Sequence, residues 1–345
     1  MRAIQVKRPG GSFEIVEIPT PTPGPGQVLI KVTVCGICGG DEVCRSGLFP
    51  GMRYPRVPGH EAVGTIILLG QHVGSRWGLG QRVGVGWHAG RCDNSEACEH
   101  CRRGSFFVCT KATGTGLTAD GGLAEYMVAD QTALVAIPDA LDSIQAAGLL
   151  CAGLTVFNAI RLSSIRPGDT LAVAGIGGLG HLGLQFGRKF GYRVVAVSSS
   201  SAKEADCLGR FGAHVFVDAS KEDVPARLAE LRPKLILGTS VDAKSITALT
   251  PTWPSDAQLL ILSEPPTATL EIPYIPLLFN RNSIVGFTAG TSADAEDALR
   301  VAEMVGVEVQ TETYPLEQAE EAFRTIRAAR YRRVIVLDAA ITDRE

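Results

Sequence analysis

Nine cysteines stand in this chain of 345 residues, and they are unevenly spread. Cys92, Cys98, Cys101 and Cys109 form a C-x5-C-x2-C-x7-C run. Four thiolates so spaced make a closed site for a structural zinc ion, because no coordination position remains for a reactant. The competing account is a degenerate loop that has lost its metal, and the presence of all four thiols favours zinc. His100, inside the run, reads as a surface residue and not as a ligand. A second set is scattered: Cys38 in CGICGGD, His60 in PGHE and Cys151 at the head of CAGLTVF. Thiolate, imidazole and thiolate leave zinc's fourth position open to water or a substrate oxygen. Taken singly, each residue also fits an ordinary buried cysteine or a hydrogen-bonded histidine, and spacing alone does not bring the three together.

A third pattern, GIGGLG, follows TLAVA and precedes HLGLQFGRKFG. Gly175 would make the turn, Gly177 would let the backbone approach a pyrophosphate, and Gly180 would let helix pack on strand. The helix N-terminus, reached through Gly178 and Leu179, then faces the phosphates of a dinucleotide. After the next strand come Ser198, Ser199, Ser200 and, close behind, Lys203. An acidic residue there would accept hydrogen bonds from free ribose hydroxyls, whereas hydroxyls and a cation suit a 2′-phosphate. NADP is therefore expected over NAD. A polar loop tolerant of either cofactor is the alternative.

These residues need elements to hold them. Short Val/Ile runs between Gly- and Pro-rich turns, such as QVLIKVTV, EAVGTIILLG and QRVGVGW, give residues 1–155 the texture of an irregular β-rich domain. From about residue 168, strand-like runs alternate with helical stretches: TLAVAG, RVVAV, HVFV, KLILG, QLLIL and SIVGF. That alternation predicts a doubly wound parallel sheet, so the fold class is α/β. Two amphipathic stretches, ADAEDALRVAEMVG and LEQAEEAFRTIRAAR, and a strand RRVIVLD follow. They are expected to rejoin the first domain, giving residues 1–158 with 288–345 as one domain and 159–287 as the inserted nucleotide domain.

Composition is that of a globular protein and not of a disordered tail: 45% hydrophobic and 20% charged residues, with a formal net charge of −3. That near-balance gives no reason to expect nucleic acid or an anionic membrane as partner. The opening MRAIQVKRPGG lacks the apolar core of a signal peptide, and no uninterrupted apolar run approaches membrane-spanning length. A cytoplasmic setting is expected, in which clustered thiols point to metal more than to disulfides.

CGICGGD, GHE, the cysteine-rich loop, CAGLTVF and GIGGLG occur in an order that resembles the zinc-dependent medium-chain alcohol dehydrogenases, over nearly the whole chain. YPRVPGHE, GQRVGVGWHAG and CRRG look especially similar to the microbial alcohol and cinnamyl alcohol dehydrogenase branches. The resemblance implies a GroES-like catalytic domain beside a Rossmann domain, one catalytic and one structural zinc, and a homodimer or homotetramer acting on a small molecule. It implies that Cys38, His60 and Cys151 are the catalytic zinc ligands. Glu61 would be the carboxylate beside the metal, able to exchange with water as a ligand. Asp41 would orient the zinc-bound His60, Thr155 would lie near the nicotinamide, and Trp87 would line the substrate pocket, though a core aromatic is an equally plain account of it. Cys35, Cys44 and Cys207 match no ligand position.

One departure is informative. The family's proton relay uses a hydroxyl two residues after the first cysteine ligand and often a histidine further on; here those positions are Gly40 and Val43. The leading expectation is a zinc-dependent alcohol dehydrogenase or carbonyl reductase that uses water or a neighbour such as Glu42 for the proton. The alternative is a biosynthetic reductase of an activated C=C or C=N bond.

Overall fold

Burial begins with one long strand. Gln27–Ile37, QVLIKVTVCGI, is β-branched at most core positions and buried along most of its length, as a strand packed on both faces must be. It lies inside a seven-stranded sheet, between Arg332–Val336 and Ala62–Leu69, and Tyr126–Asp130 also pairs with it. Val28, Ile30, Val32, Ile66, Val83, Val85, Met127 and Leu134 fill the core of this unit. The structure is a computed structural model and describes residues 1–92, 98–250, 253–263, 269–326 and 330–338. The segment DNSEA, which lengthens the first gap of the cysteine run, falls at 93–97, outside the described residues.

The second unit is the expected doubly wound sheet. Six parallel strands run in spatial order Val215–Asp218, Arg193–Ser198, Thr170–Ala174, Leu235–Gly238, Gln258–Ile261 and Ser283–Gly286. The order reverses beside Thr170–Ala174, the switch point where such sheets bind ligands. The helix Gly180–Lys189 leaves that strand and buries Leu182, Leu184 and Phe186. The stretch AKEADCLGRFG is not a plain helix. It holds a 3₁₀ turn at Ser201–Lys203 and a π turn at Asp206–Arg210, which contains a glycine that weakens regular α-helix.

The contacts divide the chain into Met1–Leu154, Gly290–Met304 and Val309–Glu345 on one side, and Thr155–Ala289 with Val305–Glu308 on the other. The sequence places everything from 288 onward in the first domain, whereas the structure returns Val305–Glu308 to the second. An amide clamp lies within each unit at this point. Gln185 donates to the carbonyl of Glu308 at 2.8 Å and accepts from its N–H at 2.9 Å. Gln145 does the same to Val309, at 2.9 and 2.7 Å.

The tail strands Thr311–Pro315 and Arg332–Val336 do join the first sheet. Between them the expected long amphipathic stretch is a 3₁₀ turn, Leu316–Gln318, and a short helix, Ala319–Arg324. A further correction concerns apolar length. The helical run Ser143–Arg161 is long and apolar enough, by composition, to cross a membrane, but 78% of its apolar window is buried inside the fold. Its hydrophobicity is used in the core.

Candidate active site and metal centres

Antiparallel register brings the first cluster together. Cys35 pairs with Ala62, so Cys38, just past the end of one strand, lies beside His60 and Glu61, just before the start of the next. On the other edge Arg333 pairs with Ile37, which brings Arg332 to the same end of the sheet. Cys151 comes from a π turn, Leu149–Gly153, inserted in the helical run. Such widened turns recur at functional sites because they re-aim side chains. The ligand atoms of Cys38, His60, Glu61 and Cys151 all lie within 4.8 Å of one another.

Asp41 organises this cluster from the first residue of a short helix, Asp41–Ser46. Its carboxylate accepts from the N–H of Cys38 at 2.9 Å and of Gly59 at 3.0 Å, and lies 3.1 Å from Nδ1 of His60. With Nδ1–H directed at Asp41, the neutral imidazole keeps its lone pair on Nε2, although against the effect of burial the Asp41 carboxylate pulls the His60 pKa well above its usual range. Nε2 is buried and has no hydrogen-bond partner among the described residues, and Oε2 of Glu61 shares this condition. Two buried acceptors without donors call for an electrophile.

Electrostatics are tuned around the same atoms. Hydrogen bonding from Cys151 holds the Cys38 thiol well below its usual range although burial opposes this, while Cys151 is pushed well above its own. Burial raises Glu61 to about 7 against the opposing pull of Arg332, which forms a fully buried ion pair with Oε1 of Glu61.

Metal fit can be tested on sulfur spacing. A tetrahedron with zinc–sulfur bonds of about 2.3 Å has edges of about 3.8 Å, whereas a disulfide would be about 2.05 Å. Cys38 and Cys151 stand 3.8 Å apart. In the loop, Cys92 is 3.6 Å from Cys101 and 3.5 Å from Cys109, and Cys98 is 3.9 Å from Cys109. Both donor sets suit zinc, the loop with four sulfurs and the other with two sulfurs, a nitrogen and a carboxylate oxygen. His100 belongs to neither set, and neither do Cys35, Cys44 and Cys207, which are buried thiols.

Residues 24–139 match the family described as "Alcohol dehydrogenase GroES-like domain", and residues 178–304 match "Zinc-binding dehydrogenase". A relative called alcohol dehydrogenase notN, from Aspergillus sp. (strain MF297-2), is 39% identical over 336 residues, covering 96% of each chain. Alcohol dehydrogenase patD of Penicillium expansum is 36% identical over 334 residues, again covering 96% of both. The solved structure of a cinnamyl alcohol dehydrogenase from Sorghum bicolor superposes with a TM-score of 0.85 at 30% identity, over 97% of each chain. The chain belongs to the zinc-dependent medium-chain alcohol dehydrogenases. It is thus an oxidoreductase that acts on a small-molecule substrate and uses zinc and a nicotinamide cofactor.

The dehydrogenase's glycine loop has the form a dinucleotide requires. Gly175 has φ of +101°, and a Cβ there would meet the Ser240 nitrogen at 2.6 Å; a Cβ on Gly180 would meet the Gly175 carbonyl at 2.1 Å. Around Gly177 the same test finds nothing within 4 Å among the described residues, which leaves room for a phosphate over the loop that continues through Gly178 and Leu179. Lys203 reaches back to the carbonyl of Ile176, in this loop, at 2.5 Å. Ser198 is buried and accepts the Ser200 N–H at 3.2 Å, Ser199 is exposed and Ser200 half-buried. The Thr155 hydroxyl accepts from the N–H of Ala289 at 3.0 Å, so it fixes the end of the nucleotide unit.

Three features escaped the sequence. Arg332 lies 271 positions from Glu61, and only the strand order joins them. Asp218, at the end of the strand beside Ser198, takes Ser201 Oγ at 2.5 Å, Ser220 Oγ at 2.5 Å and Lys221 at 3.1 Å. Glu42, a possible proton donor by sequence, is bound through both oxygens to Arg45 on its own helix.

Proposed function

We propose that this dehydrogenase transfers a hydride between NADP(H) and an alcohol/aldehyde (or ketone), with Cys38, His60 and Cys151 holding a catalytic zinc. Glu61 is the exchangeable fourth group, and Cys92, Cys98, Cys101 and Cys109 hold a structural zinc. The observation that carries this reading is the unpartnered Nε2 of His60 beside two thiols 3.8 Å apart. Zinc, when bound, supplies Lewis acidity to the substrate oxygen, and nicotinamide supplies or accepts the hydride. The chain's own groups do the rest. Asp41 holds the imidazole tautomer, and Arg332 keeps the Glu61 carboxylate directed and balanced. Lys203 and the serines from Ser198 to Ser200 support NADP over NAD, since the nearby Asp218 carboxylate is already saturated by its own donors. Metal analysis together with NADPH and NADH consumption over a panel of aldehydes and ketones tests the reading. Fewer than two zinc ions per fully active chain would refute the two-site part.

A second reading, reduction of an activated C=C or C=N bond, is favoured by one observation: among the described residues, Gly40 and Val43 have no group that passes a proton and Glu42 is tied to Arg45. Deuterium from labelled NADPH should land on the carbonyl carbon of an α,β-unsaturated aldehyde under the first reading and on the β-carbon under the second. A homodimer or homotetramer is also proposed. It is supported by the outer strand Ser283–Gly286 and by Tyr274, Ile275, Leu278 and Phe279, which are exposed along one short helix. Light scattering checks it.

A further inference from the structure

The parallel order of the nucleotide unit puts three strand ends side by side. Gly175 follows Thr170–Ala174, Ser198 closes Arg193–Ser198, and Asp218 closes Val215–Asp218 in register with Ser198. In such a sheet a dinucleotide lies beyond the carboxyl ends of the strands, and the adenosine ribose meets the end of the second. The turn that runs from Ser198 to Ser201 therefore stands at the ribose.

Two lysines tie this turn to its neighbours, one from each side. Lys203 reaches the carbonyl of Ile176, in the glycine loop, at 2.5 Å. Lys221, just past the end of the third strand, reaches Oγ of Ser201 at 2.8 Å. The Asp218 carboxylate lies under the second lysine. Its Oδ2 accepts from Oγ of Ser201 at 2.5 Å and stands 3.1 Å from Nζ of Lys221, while its Oδ1 accepts from the N–H of Ser220 at 3.0 Å and from Oγ of Ser220 at 2.5 Å. Asp218 is buried, whereas 67% of the Lys221 side chain is exposed. If the ammonium turns toward an incoming anion, the donors from Ser201 and Ser220 stay on Asp218, so the move strands no bare carboxylate.

We propose that Lys221 is a second cation for the 2′-phosphate of NADP and sets the preference for the phosphorylated dinucleotide. The inference rests on the reading of Ser198, Ser199, Ser200 and Lys203 as the place of that phosphate. A phosphate monoester carries about 1.5 to 2 negative charges at pH 7, more than one lysine offsets. Loss of Lys221 would be felt twice: a cation goes, and the Asp218 carboxylate beside Ser198 loses its counter-charge.

The test is calorimetric binding of adenosine 2′,5′-bisphosphate and of adenosine 5′-monophosphate to the zinc-loaded protein, with no turnover needed. Wild type should favour the bisphosphate. Lys221→Ala should cut that preference by roughly 3- to 15-fold, between the worth of an exposed ion pair and that of a charge-assisted hydrogen bond. Binding of the monophosphate should not change, and Lys221→Arg should restore most of the preference. Lys189→Ala removes the same charge from an exposed position at the far end of the helix Gly180–Lys189. Screening over a distance of ~15 Å should keep its effect below about 2-fold at 0.1 M salt. Should Lys221→Ala not fold, Lys221→Gln, which keeps the bulk of the side chain, takes its place with the same expectation. A preference unchanged by loss of Lys221, or lowered equally by Lys189→Ala, overturns the proposal while the NADP reading stands. A wild type that binds both nucleotides equally refutes the NADP reading, and the proposal with it.

Discussion

Replacing Asp41 with asparagine probes the cluster without adding or removing bulk. The carboxylate serves three donors: two peptide N–H groups, of Cys38 and Gly59, and Nδ1 of His60. Two of them meet the same oxygen, Oδ1. The less costly asparagine orientation keeps its oxygen at that position and turns its NH₂ toward the Cys38 N–H, setting donor against donor. One charge-assisted bond is lost, about 1.5–3 kcal/mol, and one buried N–H is left unpaired, about 1–3 kcal/mol. Relief by small shifts brings the expected loss to about 2–4 kcal/mol. The opposite orientation would face the NH₂ toward His60. The imidazole could accept only by moving its own proton to Nε2, the atom that a metal needs. Either way zinc affinity should fall about 10- to 100-fold. Guanidinium unfolding of metal-stripped protein measures the first effect, and chelator competition measures the second. Stability within about 0.5 kcal/mol of wild type, with zinc retained equally, would refute the role given to Asp41.

Cys101→Ser should release one zinc ion and mainly reduce thermal stability, which metal analysis and a melting curve check, because it opens a closed four-sulfur site. Ser198→Asp should shift binding from NADPH toward NADH in fluorescence titrations; tighter NADH binding by wild type would sink the NADP assignment. Some loss of stability should accompany this change, since Ser198 is paired in register with Asp218. Arg332→Ala should cost about 3–5 kcal/mol in denaturant unfolding, because it leaves the buried Glu61 carboxylate unpaired. Hydrogen bonds from Ser201 and Ser220 hold the Asp218 carboxyl below its usual range. Its contribution is therefore complete above an unfolded value of about 3.9 and disappears as pH falls through the lower folded value. Asp218→Asn should remove that acid-limb dependence, and a pH series of unfolding midpoints would show it.

The parallel sheet was legible because its strands are short apolar runs separated by helical crossovers, a pattern local in sequence. The four-cysteine loop was legible for the same reason, its sulfurs falling within eighteen residues, from Cys92 to Cys109. Cys38, His60 and Cys151 were individually visible, but only family resemblance joined them, since register and a π turn bring them together. Arg332 could not be read at all: as one arginine of RRVIVLD its burial depends on a strand pairing formed from distant parts of the chain. Gly40 was read as the loss of a hydroxyl. A Cβ at position 40 would lie 2.9 Å from Cζ3 of Trp87 and 3.1 Å from Cε1 of His60, so a side chain there meets rings that only the structure reveals.

The position of Arg332 also bears on the order of synthesis. The peptide emerges from its N-terminus, so Cys38, His60, Glu61 and Cys151 are all made well before the cation that balances Glu61. Until the strand Arg332–Val336 is threaded between Thr311–Pro315 and Gln27–Ile37, that carboxylate has no buried counter-charge and the sheet has no complete edge. The second unit, nearly contiguous in sequence, can close earlier. A nascent chain should therefore show protease resistance over 155–289 before it retains zinc at the cluster. Retention should begin only when the last strand has cleared the ribosome, which arrested chains of increasing length would reveal.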